Sequence, residues 1–536
     1  MNYLAWNGIP TLTELTRTLD SHAKPIYWAV CLPTREIPLF RPSENPSALE
    51  QSLAESIKRK IGCLQFNAMN VLLNVLPDVH LWLAPSESAA DIQSHFPQAL
   101  QWQTTPVEQR ETAVKPWFSP IESKAKPTNA IVIGAGIAGA ATARELADHG
   151  VRVTVLGASH TACAGSGNRQ GLLYAKISPH PTEQTELLLA GYGYTRQLLA
   201  GLLPEQHSWG GNGVLHLNFN ETERKRNQLL GLQHHHAHLY RHVSAGQAAE
   251  IAGIAIRSDG LYWPQGVWLN PPALVCALLN HPLIGVHEHA PIGSTKFDGT
   301  AWTAHTPQGR FTAEHLIYCM GAHSPNAPER NVSALPLRQI RGQTGVAAAS
   351  ALSAKLRCAL SGESYISPGW QEQHCYGATF VLNSNDETWH PQEESENRAA
   401  LHTLNADLAD SLFSDGLNPL AESKGHAALR CDSLDHLPML GAVGDIAAMQ
   451  QVYAKLALDK HYRLNTPCPY LPNVWINTAH GTRGLATAPI CAASLAADIL
   501  NLPQPLSPRL KAALHPNRAV IRAIIRHQPL LSAKAV

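Results

Sequence analysis

IVIGAGIAGAATARELADHGVRVTV, Ile131 to Val155, reads as a strand, a glycine turn, a helix and a second strand. The turn carries Gly134, Gly136 and Gly139 in the spacing G-x-G-x-x-G. Gly134 permits the tight bend from strand to helix. Gly136 lets backbone approach a pyrophosphate, and Gly139 lets helix and strand pack closely. The helix that follows offers free N–H groups and a partial positive charge to phosphate oxygens. The whole unit spans about 30 residues, as a βαβ crossover requires. A nucleotide site is the expectation. One expected part is missing: the ribose-binding acid that stands about 20 residues on, at the end of the second strand. Gly157 holds that position, which leaves a backbone group or Ser159 to meet the ribose.

Outward from this unit the chain divides. Residues 1–112 form a separate N-terminal unit, with a helix expected over Ser47–Lys60 and a strand over Val79–Leu83. Residues 113–128, rich in Pro, Ser and Lys, read as a linker. Val286–Cys319 reads as a strand meander with turns at Asp298-Gly299 and Gln308-Gly309. A last long helix is expected over Ala488–Leu500. Residues 506–536 form a tail with six basic and no acidic residues: Arg509, Lys511, Arg518, Arg522, Arg526 and Lys534.

Composition narrows the class. The 536 residues are 44% hydrophobic and 15% charged, which is globular, and long enough for two or three domains. Lys+Arg and Asp+Glu are both 41, so no whole-molecule basic field exists. The 10 cysteines show no CxxC pair, which fits reduced thiols. No basic start precedes an apolar core, and no run of about 18 apolar residues occurs. The expectation is a cytoplasmic protein without a membrane span.

Two distant segments favour FAD over NAD. Leu316–Ala322, LIYCMGA, is a strand ending at Gly321. Asn473–Ile476 leads to Ala479-His480-Gly481-Thr482-Arg483-Gly484-Leu485, a strand, a glycine loop and a helix start. Such a loop can present N–H groups to a flavin ring.

The segments Gly165–Tyr174 (GSGNRQGLLY), Tyr262–Leu269 (YWPQGVWL), Arg341-Gly342-Gln343, Arg430–Gly441 (RCDSLDHLPMLG), Thr482–Leu485 and Pro516-Asn517-Arg518 carry a resemblance. They resemble, in order, the superfamily of D-amino-acid, glycine and sarcosine oxidases. Within it they are similar to the FAD half of the bifunctional enzymes that build 5-methylaminomethyl-2-thiouridine in tRNA. The resemblance implies an α/β fold with an α+β substrate domain, built as a two-dinucleotide-fold FAD domain over 129–505. FAD-binding parts would be 129–204, 275–334 and 426–505, and substrate parts 205–274 and 335–425. It implies cofactor contacts from Gly134, Gly136, Ile137, Ala138, Gly139, Ser166, Asn168, Arg169, Gln170, Gly171, Gly321, Gly481, Thr482, Arg483, Gly484 and Leu485.

It also implies removal of a carboxymethyl group from the wobble uridine of tRNA, with glyoxylate as product and oxygen as electron acceptor. A carboxylate substrate calls for a fixed arginine, whose planar fork binds carboxylate at two points. Arg430 and Arg483 are the candidates, with Tyr365 as a further substrate contact; Tyr365 and Tyr376 also suit sheet packing. No proton-abstracting base stands out, and alignment of a neutral amine supplies the rate. His436 and His480 read as hydrogen-bonding residues.

The run Gln233–His238 (QHHHAH) reads as a solvated loop rather than a metal site, since no carboxylate or Cys stands at ligand spacing. Arg224, Lys225, Arg226 and the tail are either tRNA contacts or solvated charge. Full-length relatives of this kind carry a methyltransferase before the FAD half. Residues 1–128 hold only Gly8 and Gly62, too few for the loop that admits S-adenosylmethionine. The N-terminal unit is then a remnant, a tRNA-positioning module or a stabilising partner. A free glycine or sarcosine oxidase and a tRNA-binding flavoprotein without turnover are the competing readings.

Overall fold

The computed structural model describes residues 1–110, 114–119, 125–413, 425–528 and 530. Residues 113 and 120–124 of the linker, and Lys534 of the tail, lie outside them.

The N-terminal unit is a five-stranded sheet in the order β3-β4-β2-β1-β5. Its strands are β1 (Asn2–Asn7), β2 (Ile26–Cys31), β3 (Asn70–Leu76), β4 (Val79–Ala84) and β5 (Gln101–Trp102). β1, β2, β4 and β5 run parallel, and β3 turns back on β4 as a hairpin. Helices α1 (Leu12–Ser21) and α2 (Ala48–Lys60) carry leucines into the core around Trp28. α2 begins where its sequence says. Ser47 caps the helix and Glu50 reciprocates, which satisfies two otherwise orphaned N–H groups.

The decisive stretch forms β6 (Asn129–Ile133), α3 (Ile137–Asp148) and β7 (Arg152–Leu156). These belong to a six-stranded sheet in the order Ile284–His287, β7, β6, His315–Tyr318, Tyr470–Thr478, Met439–Gly444, parallel except for the last strand. The expected meander is smaller than read. Its three strands are Ser294–Phe297, Trp302–Thr306 and Gly309–Ala313, turning at Asp298-Gly299 and at Gln308-Gly309. The flanking strands Ile284–His287 and His315–Tyr318 join the parallel sheet instead. Both faces of that sheet are covered, so apolar runs are stable there.

A second sheet gathers strands from 214–263 and 337–382. Ala427–Ser433 pairs antiparallel with Leu337–Ala348 and so extends this sheet, although it lies in a segment the sequence assigned to the FAD side.

Packing bears on two expectations. The histidine run is not a solvated loop. The His236 side chain is fully buried, and its ring lies 5.8 Å from Phe66 and 5.4 Å from Tyr240. Its Nε2 accepts from the Phe66 N–H at 3.2 Å, and His238 Nε2 donates to the Leu64 carbonyl at 2.7 Å. Burial pushes the His236 imidazole down to about 3, so it stays neutral and serves as an aromatic surface. The run clasps the N-terminal unit, together with Gln197 of α4 (Glu183–Leu202), which bonds Leu73 N–H and the Val71 carbonyl.

The basic tail is the second. It folds as helices Pro508–Leu514 and Asn517–Ile525. Arg518 and Arg522 both pair with Asp435, Arg509 with Glu183 and Glu186, and Lys511 with Asp498. Four of the six tail cations are thus paired with carboxylates, and the Arg509 and Arg522 side chains remain partly exposed.

Candidate functional site

A cavity of about 640 Å³ runs between the two sheets. That is within the range of about 300–1,000 Å³ for small-molecule sites. Its lining brings together segments far apart in sequence: the glycine turn, Ser166 and Asn168, Gly321, the 478–486 loop, Tyr365 and Arg430.

Two helix N-termini open into it. At α3 the cap is Gly136, which has no side chain to close the helix end. The Ile137 N–H donates to Ser166 Oγ at 3.0 Å. Among the described residues, the N–H groups of Ala138 and Gly139 have no acceptor. Gly134 sits at φ +116, and a Cβ there would strike the Cys319 carbonyl, so no other residue fits. At the helix Gly484–Leu500 the cap residue is Arg483, and the N–H groups of Gly484 and Leu485 are likewise without an acceptor among the described residues. The loop before it is held by Gly481 N–H to the Cys431 carbonyl at 2.7 Å. Open N–H groups at both ends, a pyrophosphate-sized approach at Gly136 and an elongated cavity fit a flavin dinucleotide.

The predicted cofactor residues divide. Gly134, Gly136, Ile137, Ala138, Ser166, Asn168, Gly171, Gly321, Gly481, Thr482, Arg483, Gly484 and Leu485 line the cavity. Gly139 does not; it packs beneath Gly134, the helix–strand contact expected of the third glycine. Arg169 and Gln170 are corrections. The Arg169 guanidinium lies 4.7 Å over the Trp370 ring and donates to its carbonyl at 2.7 Å. Gln170 is buried, with Nε2 donating to the Pro368 carbonyl at 3.0 Å. Both brace the wall from behind.

Near the absent ribose acid, Gly157 pairs by backbone with His287 and Ala290. The sequence reading missed Glu288, which follows His287 on the neighbouring strand. It accepts from the Thr161 N–H at 2.6 Å and contacts His160 Nδ1 at 3.1 Å. Ligand-type atoms of His160, Glu288 and His289 all lie within 4.8 Å of one another. Only strand pairing brings Glu288 here, so spacing along the chain could not reveal it.

At the other end stands Arg430. Its side chain lies over Gly342, where a Cβ would collide with the guanidinium, and Nη1 points to the Thr379 carbonyl at 3.4 Å. Among the described residues no carboxylate pairs with it. Burial lowers the guanidinium below its ordinary value, with the Tyr365 phenol opposing that shift. A cation so desolvated favours an anionic ligand. Tyr365 donates its hydroxyl to the Gln170 carbonyl at 3.0 Å, and burial pushes its phenol well up, so it stays protonated. Tyr376 is buried in the second sheet and bonds Glu394, as a packing residue.

His480 lines the cavity but is held by Thr487 Oγ1 and Asn477 Oδ1, each at 3.0 Å. Burial pushes it to about 3, so it is neutral. His436 bonds Asp432 at 2.5 Å. Both are structural hydrogen-bonders, as their sequence context suggested.

The FAD dependent oxidoreductase family matches residues 129–498. The tRNA 5-methylaminomethyl-2-thiouridine biosynthesis bifunctional protein MnmC of Chromobacterium violaceum is 36% identical over 91% of this chain and 74% of its own length.

The chain belongs to this FAD-dependent oxidoreductase family, within its MnmC group.

MnmC of Pseudomonas putida is 37% identical over 77% of the chain and 62% of its own length, so this chain spans only part of such relatives. A match over 91% of the chain must extend into the N-terminal unit. Glycine oxidase from Bacillus cereus has the same fold, with TM-score 0.55 and 18% identity over 69% of this chain and 94% of its own. Iminodiacetate oxidase from Chelativorans sp. gives TM-score 0.54 and 17% identity over 70% and 96%. This MnmC-group chain is therefore an FAD-dependent oxidoreductase. No helix among the described residues is long and apolar enough to cross a membrane.

Proposed function

We propose that the chain removes the carboxymethyl group from 5-carboxymethylaminomethyl-(2-thio)uridine at the tRNA wobble position, in the cytoplasm, with oxygen as final acceptor. The observation that carries this reading is Arg430, a half-buried, desolvated cation in the cavity wall with no carboxylate partner among the described residues. The substrate carboxylate supplies that partner. Bidentate pairing there fixes the adjacent CH₂ in one orientation, which is how positioning lowers the barrier. Bound FAD supplies a two-electron acceptor for the hydride of that CH₂. The amine gives up its proton, and a C=N bond forms. Water then adds across it, leaving the aminomethyl uridine and glyoxylate. Tyr365, protonated and anchored on Gln170, shapes the wall beside Arg430 and takes no proton.

The test uses the purified flavoprotein with modified tRNA, free glycine and free sarcosine, and measures glyoxylate. Glyoxylate from tRNA far in excess of that from the amino acids supports the reading; comparable turnover of glycine or sarcosine overturns it. Arg430→Met should retain FAD yet lose about a hundredfold or more in kcat/KM, the effect of leaving a buried charge unpaired.

A further inference from the structure

The cavity reaches the surface at the turn Gly362–Ser364, which lines it and carries the exposed Glu363. Two exposed phenyl rings belong to this region, one lining the cavity and one against the turn. Phe380 lines the cavity and is 56% exposed. Phe219, 36% exposed, lies against Gly362, where an added Cβ would stand 3.6 Å from its ring. Exposed aromatic rings at a cavity edge mark a contact surface.

Cations gather at the same edge. Lys176 Nζ lies 5.5 Å from the centre of the Phe219 ring and 3.2 Å from Glu223. Arg226 pairs with the same carboxylate. Arg483 lines the cavity, adds its charge to the field at Lys176 and Arg226, and has no carboxylate partner among the described residues. Glu223 is buried, yet its hydrogen bond to His216 and the charges of Arg226 and Lys176 bring it to about 2. His216 is neutral, because burial takes it to about 4. Three cations therefore stand against Glu223 and Glu363. The neighbouring Arg224 pairs with Asp259 at 3.2 Å.

We propose that this rim is a single-stranded RNA site that holds the nucleotides beside the one being oxidised. Phe380 stacks on a neighbouring base, and Lys176 with Arg483 takes a backbone phosphate. This rests on the function proposed above and names the part of the protein that tells an RNA from a free amine. Splayed bases present flat faces that stack on aromatic side chains, and the phosphate between them demands a cation within a few ångströms. Phe219 and Lys176 meet beside the turn at Gly362, and Phe380 and Arg483 line the same cavity.

The experiment compares the full-length flavoprotein with Phe380→Ala and Lys176→Gln. Three probes are used: the free nucleoside 5-carboxymethylaminomethyluridine, an anticodon stem-loop carrying it, and the unmodified stem-loop in a binding assay by fluorescence anisotropy. Flavin absorbance and melting confirm folding. Phe380→Ala should raise KM for the stem-loop roughly tenfold. Both variants should stay within about twofold of the parent on the nucleoside, and Lys176→Gln should lower the slope of log affinity against log salt by about 1. Equal losses on nucleoside and stem-loop, or unchanged stem-loop affinity and salt slope, overturn the proposal. If the parent oxidises neither modified probe, the functional reading falls, while the anisotropy arm still decides whether this rim binds RNA.

Discussion

Two βαβ units of the molecule treat the helix start in opposite ways. In the N-terminal unit, β1 passes through Gly8, at φ +103, into α1. Thr11 accepts from the Glu14 N–H at 3.2 Å, Glu14 accepts from the Thr11 N–H at 2.7 Å, and the Leu12 N–H reaches the Arg41 carbonyl at 3.0 Å. Two of the first three N–H groups of that helix are satisfied by its own chain, and among the described residues only that of Thr13 is left open. In the FAD unit, β6 passes through Gly134 into α3, capped by Gly136. No side chain at the cap fills the helix end, so Ala138 and Gly139 keep open donors. Both crossovers join adjacent parallel strands. The difference between a scaffold and a phosphate site therefore lies in whether the protein or a ligand satisfies the first turn.

The sharpest way to break this contrast is to close the open helix. Gly136→Asp places a carboxylate at the α3 cap, within reach of its free N–H groups and against any pyrophosphate. Like-charge contact costs several kcal/mol, so FAD affinity should fall by at least about a hundredfold and the protein should purify colourless. Absorbance near the flavin band and titration with FAD measure this. A yellow protein with parental affinity would mean that the pyrophosphate lies elsewhere.

A smaller effect is expected at the other end of the cavity, where a side chain rather than backbone does the binding. Gly342 lies under the Arg430 guanidinium. In Gly342→Ala the new Cβ pushes that flexible group aside rather than removing it. Turnover should fall between about tenfold and a hundredfold, as expected for misplacing a positioning group by about 1 Å. FAD content should not change. Rapid-mixing measurement of flavin bleaching under anaerobic conditions separates the two. Loss of FAD together with activity would show that Gly342 supports the fold rather than Arg430.

These two ends also differ in how far sequence reveals them. The open helix is local: Gly134, Gly136 and Gly139 sit within one turn, and their spacing alone announces it. The same holds for the α2 start at Ser47 and Glu50, and for the turns at Gly299 and Gly309. Arg430 was named from its motif, but its setting was not visible. Gly342, Thr379 and Tyr365 reach it only through pairing of the strand Ala427–Ser433 with Leu337–Ala348. The errors share that cause. The His234–His236 run looked solvated because Phe66, which buries it, lies 170 residues from His236 in sequence. The tail looked free because Asp435 lies 83 residues from Arg518, and Glu183 lies 326 residues from Arg509. Arg169 and Gln170 sit inside a cofactor motif, yet strand and loop geometry turns their side chains outward to Trp370 and Pro368.

The smallest expected effect tests the closed helix. Thr11→Ala removes a side-chain acceptor at the α1 start and leaves Glu14 to hold the Thr11 position alone. Loss of such a cap costs about 1 kcal/mol. The cost should appear as faster amide hydrogen exchange in the first turn of α1 and a small loss of stability in denaturant. α3 exchange, flavin content and turnover should stay as in the parent, because no contact links the α1 cap to the cavity lining. A change in flavin content would mean that the N-terminal unit transmits its stability to the FAD site through the His236 and Gln197 clasp. The unit would then be part of the site's support rather than a separately stable neighbour.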